Sequence, residues 1–303
     1  MLCCACVERV SITVMDNQLT NLLWSVGARG LHLSKRLGVS EFFEHTLLKV
    51  ALGLMPPPST ETSVTLPFGA TMVIPPGFPR ARTYLAGVYE QEVTALFGEV
   101  LQEGMNVIDV GAFCGYYALV SAHLVGSSGR VYAFEPEPTN YAYLCRNVEA
   151  NGFHNVIVKN SAVSNVNGSG ALTLQKEKDH HSLSVASSGA SSVTVPVVSL
   201  DSFLAQEEWP RIDLVKMDIE GGEKRALEGM QEMSRRNPNL CLIMEFEIRN
   251  ILDGGSTTDA LKNVLTGLGF ERYCIVEQGM NWVPLSKGLP STNMNCNLLV
   301  AKR

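Results

Sequence analysis

The chain is short of positive charge. It carries 24 Lys and Arg against 30 Asp and Glu, a formal net charge of −6 over 303 residues. Nucleic-acid binders draw much of their affinity from phosphate contacts and show a basic face; none is legible, so no nucleic-acid partner is expected. Long apolar runs are also missing. The longest, residues 47–55, contains Lys49 and falls short of the roughly 20 residues that cross a bilayer, so no transmembrane segment is expected. No basic start leads into an apolar run, so no secretory signal is expected either. Cysteine pairs are scarce. Cys3 and Cys6 have C-x-x-C spacing without the second pair a zinc site needs, and no metal site is expected. Cys114, Cys145, Cys241, Cys274 and Cys296 stand singly. They read as small buried apolar residues in a reducing compartment, and the cytoplasm is the expected location.

What is present has the order of an α/β protein. Residues 1–60 carry apolar residues at helical spacing (Leu19, Leu22, Leu23, Val26; Phe42, Phe43, Leu47, Leu48) and predict an N-terminal helical extension ended by Pro56-Pro57-Pro58. Residues 61–303 form the expected main domain, opening on a hairpin around Gly69-Ala70. Beyond residue 86 strands and helices alternate. Strands are predicted at 106–110, 130–134, 155–159, 170–175, 192–198, 212–217, 240–245, 272–276 and 297–301. Helices are predicted at 90–101, 116–125, 139–150, 200–206, 223–233 and 257–268. Nearly all-apolar strands in βαβ order predict a parallel sheet covered on both faces. The polar, Ser-rich stretch 176–191 reads as a loop.

The first chemical motif joins strand 106–110 to helix 116–125: Asp109-Val-Gly111-Ala112-Phe-Cys-Gly115-Tyr. Glycines there permit a tight turn and close approach to a ligand, and the helix start offers free N–H groups. In open α/β sheets ligands sit beyond the carboxyl ends of strands. A dinucleotide turn has three glycines and receives a pyrophosphate. Here the glycines are two, in G-x-x-x-G spacing, after an aspartate that would repel a pyrophosphate. The arrangement suits a zwitterion with an ammonium group, such as the methionine end of S-adenosylmethionine, with Asp109, Gly111, Ala112 and Gly115 as cofactor-binding candidates. Glu135, about twenty residues beyond Gly115, ends the next strand before Pro136, where a carboxylate accepts ribose hydroxyls. Ser161-Ala162 follows the third strand, bordering an adenine or forming an ordinary turn. Glu90 heads its helix either as a cap or within reach of the cofactor ammonium.

The second motif is Lys216-Met-Asp218-Ile-Glu220-Gly221. Alternation puts Lys216, Asp218 and Glu220 on one side of the strand end. Three charges there imply either a salt-bridged cluster or a functional crevice. Glu245 ends the next strand and lines the same opening.

On these residues the chain resembles the FkbM family of S-adenosylmethionine-dependent methyltransferases. The resemblance runs from about Tyr89 to Met230. It rests on Tyr89-Glu90, Asp109 to Tyr117, Gly129-Arg-Val131-Tyr-Ala133-Phe134-Glu135-Pro136, Leu144, Asn147, Asn151-Gly152, Val197-Val198-Ser199-Leu200-Asp201 and Lys216 to Gly221 with Glu223. It departs at Phe113, where the family has asparagine; an amide there bonds the cofactor or holds the turn. The resemblance implies a Rossmann-like class I methyltransferase fold, with a seven-stranded, mostly parallel sheet, helices on both faces and an antiparallel last strand. It also implies O-methylation of varied acceptors, including sugars.

The expected reaction is therefore methyl transfer from S-adenosylmethionine to a hydroxyl of a sugar, glycan or other small-molecule or lipid acceptor. A carboxylate takes up the hydroxyl proton. Asp218 is the first candidate, Glu245 the second and His180-His181 a third, while Asp218 is also a candidate for the cofactor amino group. The rival readings are a non-catalytic methyltransferase-like binding module, favoured by Phe113, and an NAD-dependent oxidoreductase, disfavoured by the missing third glycine. A homo-oligomer is left open.

Overall fold

The structure is a computed structural model and describes residues 57–174, 191–290 and 295–302. The expected N-terminal helices, Cys3, Cys4 and Cys6, and the Ser-rich segment with His180 and His181 lie outside the described residues, apart from Ser191. The chain divides into two compact units, Met1–Tyr89 and Glu90–Arg303. Among the described residues no helix is long and apolar enough to cross a membrane.

In the first unit, β1 (Thr62–Thr65) and β2 (Thr71–Ile74) form the expected antiparallel hairpin, with Thr62 opposite Ile74 and Thr65 opposite Thr71. The Leu66 N–H donates to the Ala70 carbonyl at 2.8 Å and closes the turn. A short helix, α1 (Ala81–Leu85), follows.

In the second unit, α2 (Gln91–Val100) leads into β3 (Asn106–Val110), α3 (Tyr116–Val125), β4 (Arg130–Phe134), α4 (Pro138–Ala150) and β5 (Val156–Lys159). Then come β6 (Ala162–Val163), β7 (Gly168–Leu174), β8 (Ser191–Val198), α5 (Leu200–Gln206) and β9 (Leu214–Met217). The chain continues with α6 (Glu223–Glu228), α7 (Gln231–Arg236), β10 (Cys241–Glu247), α8 (Ile248–Asp253), α9 (Thr258–Gly267), β11 (Arg272–Ile275), β12 (Val283–Pro284) and β13 (Asn295–Ala301).

The main sheet has the order β12-β11-β13-β10-β9-β3-β4-β5. Strands β5, β4, β3, β9 and β10 are mutually parallel. The last strand, β13, runs antiparallel to both β10 and β11. The fold is thus Rossmann-like, mostly parallel, with the antiparallel last strand the resemblance implied. The two-residue β12 adds an eighth strand at the edge. Strands buried on both faces explain the continuous apolar runs: Val107, Ile108, Val110, Leu214, Val215, Leu242, Ile243 and Met244 are all buried. Strands β6, β8 and β7 make a separate three-stranded sheet.

Two local readings need correction. The single helix expected at 223–233 is two helices, α6 and α7. Gly229 separates them, and a Cβ there would lie 2.1 Å from the Ser164 carbonyl oxygen. Tertiary contact with the β6–β7 turn overrides the helical pattern. And of the five cysteines read as buried, Cys145 and Cys241 are only half-buried; all five are free thiols.

Candidate cofactor site

The chain steps from β3 outward in both directions, to β4 on one side and to β9 on the other. This makes the carboxyl ends of β3 and β9 the switch point where an open sheet forms its crevice. The predicted residues Asp109, Gly111, Ala112, Gly115 and Asp218 all fall there.

The turn after β3 is built by backbone bonds. The Gly111 and Ala112 N–H groups both donate to the Phe134 carbonyl, at 3.0 and 2.9 Å. The Asp218 N–H donates to the Val110 carbonyl at 3.0 Å. Gly111 has φ +83, and a Cβ on it would meet the Asp218 carbonyl oxygen at 2.0 Å. The close approach that requires glycine is therefore to the neighbouring turn, where the sequence suggested a ligand. Gly115, with φ +101, precedes α3 as its N-cap residue.

Phe113 also has positive φ, +51. Asparagine enters this left-handed region more readily than phenylalanine does, so the family's asparagine suits the conformation itself. Phe113 is held in it from outside: its N–H donates to Glu135 Oε2 at 2.8 Å. The next carbonyl, that of Cys114, accepts from the buried Asn147 amide at 2.8 Å.

Glu135 is buried just beyond β4 and accepts a second bond, from the Glu137 N–H to Oε1 at 2.9 Å. Burial pushes its carboxyl up to about 7, against the lowering effect of those two amides. Pro136 follows, and Glu137 caps α4 by accepting from the Asn140 N–H at 2.7 Å. Asn160, which sequence reasoning passed over, clamps this corner. Its amide donates to the Glu135 carbonyl at 2.8 Å and the Pro136 carbonyl at 3.0 Å. An asparagine just past a strand is an ordinary turn signal, so only the fold reveals the clamp.

Asp109 is also buried, but neither of its carboxylate oxygens is in a hydrogen bond. Burial raises its carboxyl to about 6, Lys216 works to lower it and Asp218 to raise it. The Ala118 amide, in the first turn of α3, acts on it from outside hydrogen-bonding geometry. Lys216 is buried and pairs with Asp218 Oδ2 at 3.1 Å. Burial alone would lower its ammonium, but Asp218, Asp109 and Glu90 outweigh that and hold it above the usual lysine value. Glu90, at φ +38, makes no side-chain cap on α2 and instead accepts the Tyr117 hydroxyl at 2.6 Å.

Strand β9 ends at Met217, and the charged residues beyond it lie in a turn. Glu223, buried and raised to about 7 by burial, holds that turn by accepting the Ile219 and Gly221 N–H groups at 3.3 and 3.2 Å. Sequence reasoning gave it no role. Asp218, Glu220 and Glu245, all half-buried, bring one carboxylate oxygen each within 4.8 Å of one another. That spacing is open to a cation, and equally makes an acidic rim. Glu220 also accepts the Asn250 amide at 2.5 Å. Ser161 and Ala162 follow β5, and Ala162 packs with Leu172, Val195 and Val197 in the core of the small sheet.

A buried orphan carboxylate and a glycine turn that leaves no room for a Cβ, set at the switch point of a doubly wound sheet, define a cofactor-binding domain of the Rossmann-like class. The chain belongs to the family described as the methyltransferase FkbM domain, which matches residues 109–272; S-adenosylmethionine is that family's cofactor. It is similar to a protein-L-isoaspartate O-methyltransferase of Methanothrix thermoacetophila, 40% identical over 88 residues, 29% of this chain and 39% of that protein. A hexuronic acid methyltransferase, AglP, of Haloferax volcanii is 30% identical over 142 residues, 46% of this chain and 56% of that protein. The chain thus spans between about two-fifths and just over half of these two relatives. Among solved structures, a methyltransferase FkbM from Methylobacillus flagellatus aligns over 73% of this chain and 54% of that one, at TM-score 0.40 and 15% identity.

Proposed function

We propose that the protein transfers the methyl group of S-adenosylmethionine to a hydroxyl oxygen of a sugar-like acceptor. The observation that carries this reading is the set of buried carboxylates, Asp109 and Glu135, placed with Asp218 around one glycine turn. Glu135 faces the ribose hydroxyls, with Pro136 ending the strand beside it. Asp109, Asp218 and Glu90 face the cationic end, and the backbone of Gly111, Ala112 and Gly115 shapes the seat. Ser161 and Ala162 border the adenine. All lie in residues 61–303, with residues 1–60 an extension. The free thiols fit a reducing compartment, the cytoplasm.

When bound, the cofactor supplies an activated methyl group on a positive sulfur. The chain's part is to position an acceptor oxygen in line with it and to receive the hydroxyl proton. Asp218 and Glu245, half-buried beside each other, are the groups that take that proton. The acidic rim also bears on the acceptor. An anionic carboxylate would be repelled there, whereas a neutral hydroxyl is drawn into hydrogen bonds. The name of the Haloferax relative points to sugar acids, so both oxygen types belong in the test.

Purified protein with methyl-labelled S-adenosylmethionine and a panel of neutral sugars, hexuronic acids and glycans distinguishes them. The expected product is a methyl ether, stable to mild base. A base-labile methyl ester would overturn the hydroxyl assignment, and no transfer to any acceptor would favour the binding-module reading.

A further inference from the structure

Lys216 has no part in the chemistry above, yet it lies where three of the proposed cofactor ligands converge. Its side chain is 4% exposed and its Nζ sits 3.1 Å from Asp218 Oδ2. The same ammonium lies 4.8 Å from the centre of the Tyr117 ring, and the Tyr117 hydroxyl is bonded to Glu90. Asp109 is its direct partner across the β3–β9 pairing, so the two side chains share a face of the sheet. The turn after β9, strand β3, helix α3 and the residue before helix α2 therefore all present a group to one ammonium. The titratable groups that face it are Asp218, Asp109, Glu90 and Tyr117; Asp218 is in turn faced by Glu220, Glu223 and Glu245.

Carboxylates this close repel one another and are hard to keep ionised away from water. A cation at their centre removes that conflict, and an aromatic face beneath it fixes its place. We propose that Lys216 is a positioning residue for the cofactor: its ammonium orients the Asp218 carboxylate and offsets the charge of Asp109, so that both stand ready for a cationic ligand. This rests on the S-adenosylmethionine reading of the site. Lys216 touches no reacting atom. Its contribution is to keep the site ordered before the ligand arrives, which reduces what binding must rearrange.

The test is the affinity for S-adenosylhomocysteine, measured by calorimetry between pH 5.5 and 8.5, for the wild-type chain, K216M and K216R, with a thermal melt of each. Wild-type affinity is expected to fall as pH drops through the values of Glu135 and Asp109, about 7 and about 6. In K216M the part of the fall set by Asp109 should move upward by about 1 to 3 pH units, leaving binding at pH 7 weaker by tenfold or more, and K216R should restore the wild-type profile. Should K216M lack a cooperative melt, Y117L leaves every charge in place and removes the aromatic face together with the hydroxyl bonded to Glu90; it should move the profile upward by less. A K216M or Y117L curve parallel to wild type, weaker by the same factor at every pH, would reduce Lys216 to a packing role and overturn the proposal. Wild-type chain that binds no S-adenosylhomocysteine would overturn the cofactor reading itself, and this proposal with it.

Discussion

Asp109 lies on β3 and Glu135 just past the end of the parallel neighbour β4; both are buried, yet they are held in different ways. Glu135 has a backbone N–H on each oxygen, one from the β3 turn and one from the start of α4. Asp109 has neither oxygen in a hydrogen bond, and only Lys216 and, more weakly, the Ala118 amide oppose its burial. The first is part of the scaffold: without Glu135, the amides of Phe113 and Glu137 lose their acceptor. The second is destabilising on its own terms, since a buried charge without donors lacks the compensation that stable proteins provide. On the proposed reading both carboxylates face the cofactor, but only Glu135 also ties the β3 turn to the start of α4.

The harshest break is Gly111→Ala, because both carboxylates depend on this turn. Its Cβ would lie 2.0 Å from the Asp218 carbonyl oxygen at φ +83. A loss of about 3 kcal/mol or more is expected, read as a lowered denaturant midpoint together with lost cofactor binding. Next comes the pair Glu135→Gln and Asp109→Asn, which sets the two carboxylates against each other. Glu135→Gln turns an amide N–H₂ toward a backbone donor and should cost about 1–3 kcal/mol of stability. Asp109→Asn removes an unbonded buried charge and should leave stability unchanged or raised. Both should weaken cofactor binding by about tenfold or more, equivalent to about 1.4 kcal/mol. Equal stability losses in the two variants would erase the distinction.

Acidity sharpens the same contrast. Asp109, Glu135 and Glu223 are all raised by burial, to about 6, 7 and 7. The folded protein therefore binds more protons than the unfolded chain between the ordinary carboxylate range and about pH 7. Stability from these groups is fully present below that range and is lost as pH rises through 6 to 7, by up to about 1.4 kcal/mol per pH unit per proton. On the proposed reading the cofactor is held by the ionised carboxylates, so its affinity should move in the opposite direction. Melting temperature of the free protein and calorimetric affinity, followed over pH 5–8, should cross. The smallest expected effect is Phe113→Gly. Relief of the left-handed strain at φ +51 should offset the added backbone entropy and stabilise the chain by about 0.5–1 kcal/mol, measured by denaturant melt, with Glu135 keeping its N–H donor.

Much of this was legible in the sequence. The strand at 106–110, the helix at 116–125 and the strand at 130–134 were read with the bounds the structure has, because apolar runs and glycine punctuation are local signals. Asp109, Glu135 and Asp218 stood out because charges at the ends of buried strands are rare. What stayed hidden depends on contacts distant in sequence. Gly229 breaks a helix because of the Ser164 carbonyl, and Gly111 is required by the Asp218 carbonyl, neither of which any local window contains. Asn160, Asn147 and Glu223 look like turn or helix residues until the fold shows which backbone groups they satisfy. Phe113 looked like a lost ligand; its backbone angle shows that the position demands a conformation first.

The central claim is tested most directly by calorimetry of the wild-type chain with S-adenosylhomocysteine at pH 7.5, beside Asp109→Asn. Saturable one-site binding by a stable wild type, weakened at least about tenfold in an equally stable Asp109→Asn, is the predicted result. Undiminished affinity in that variant would contradict the account, because the orphan carboxylate would then serve no ligand.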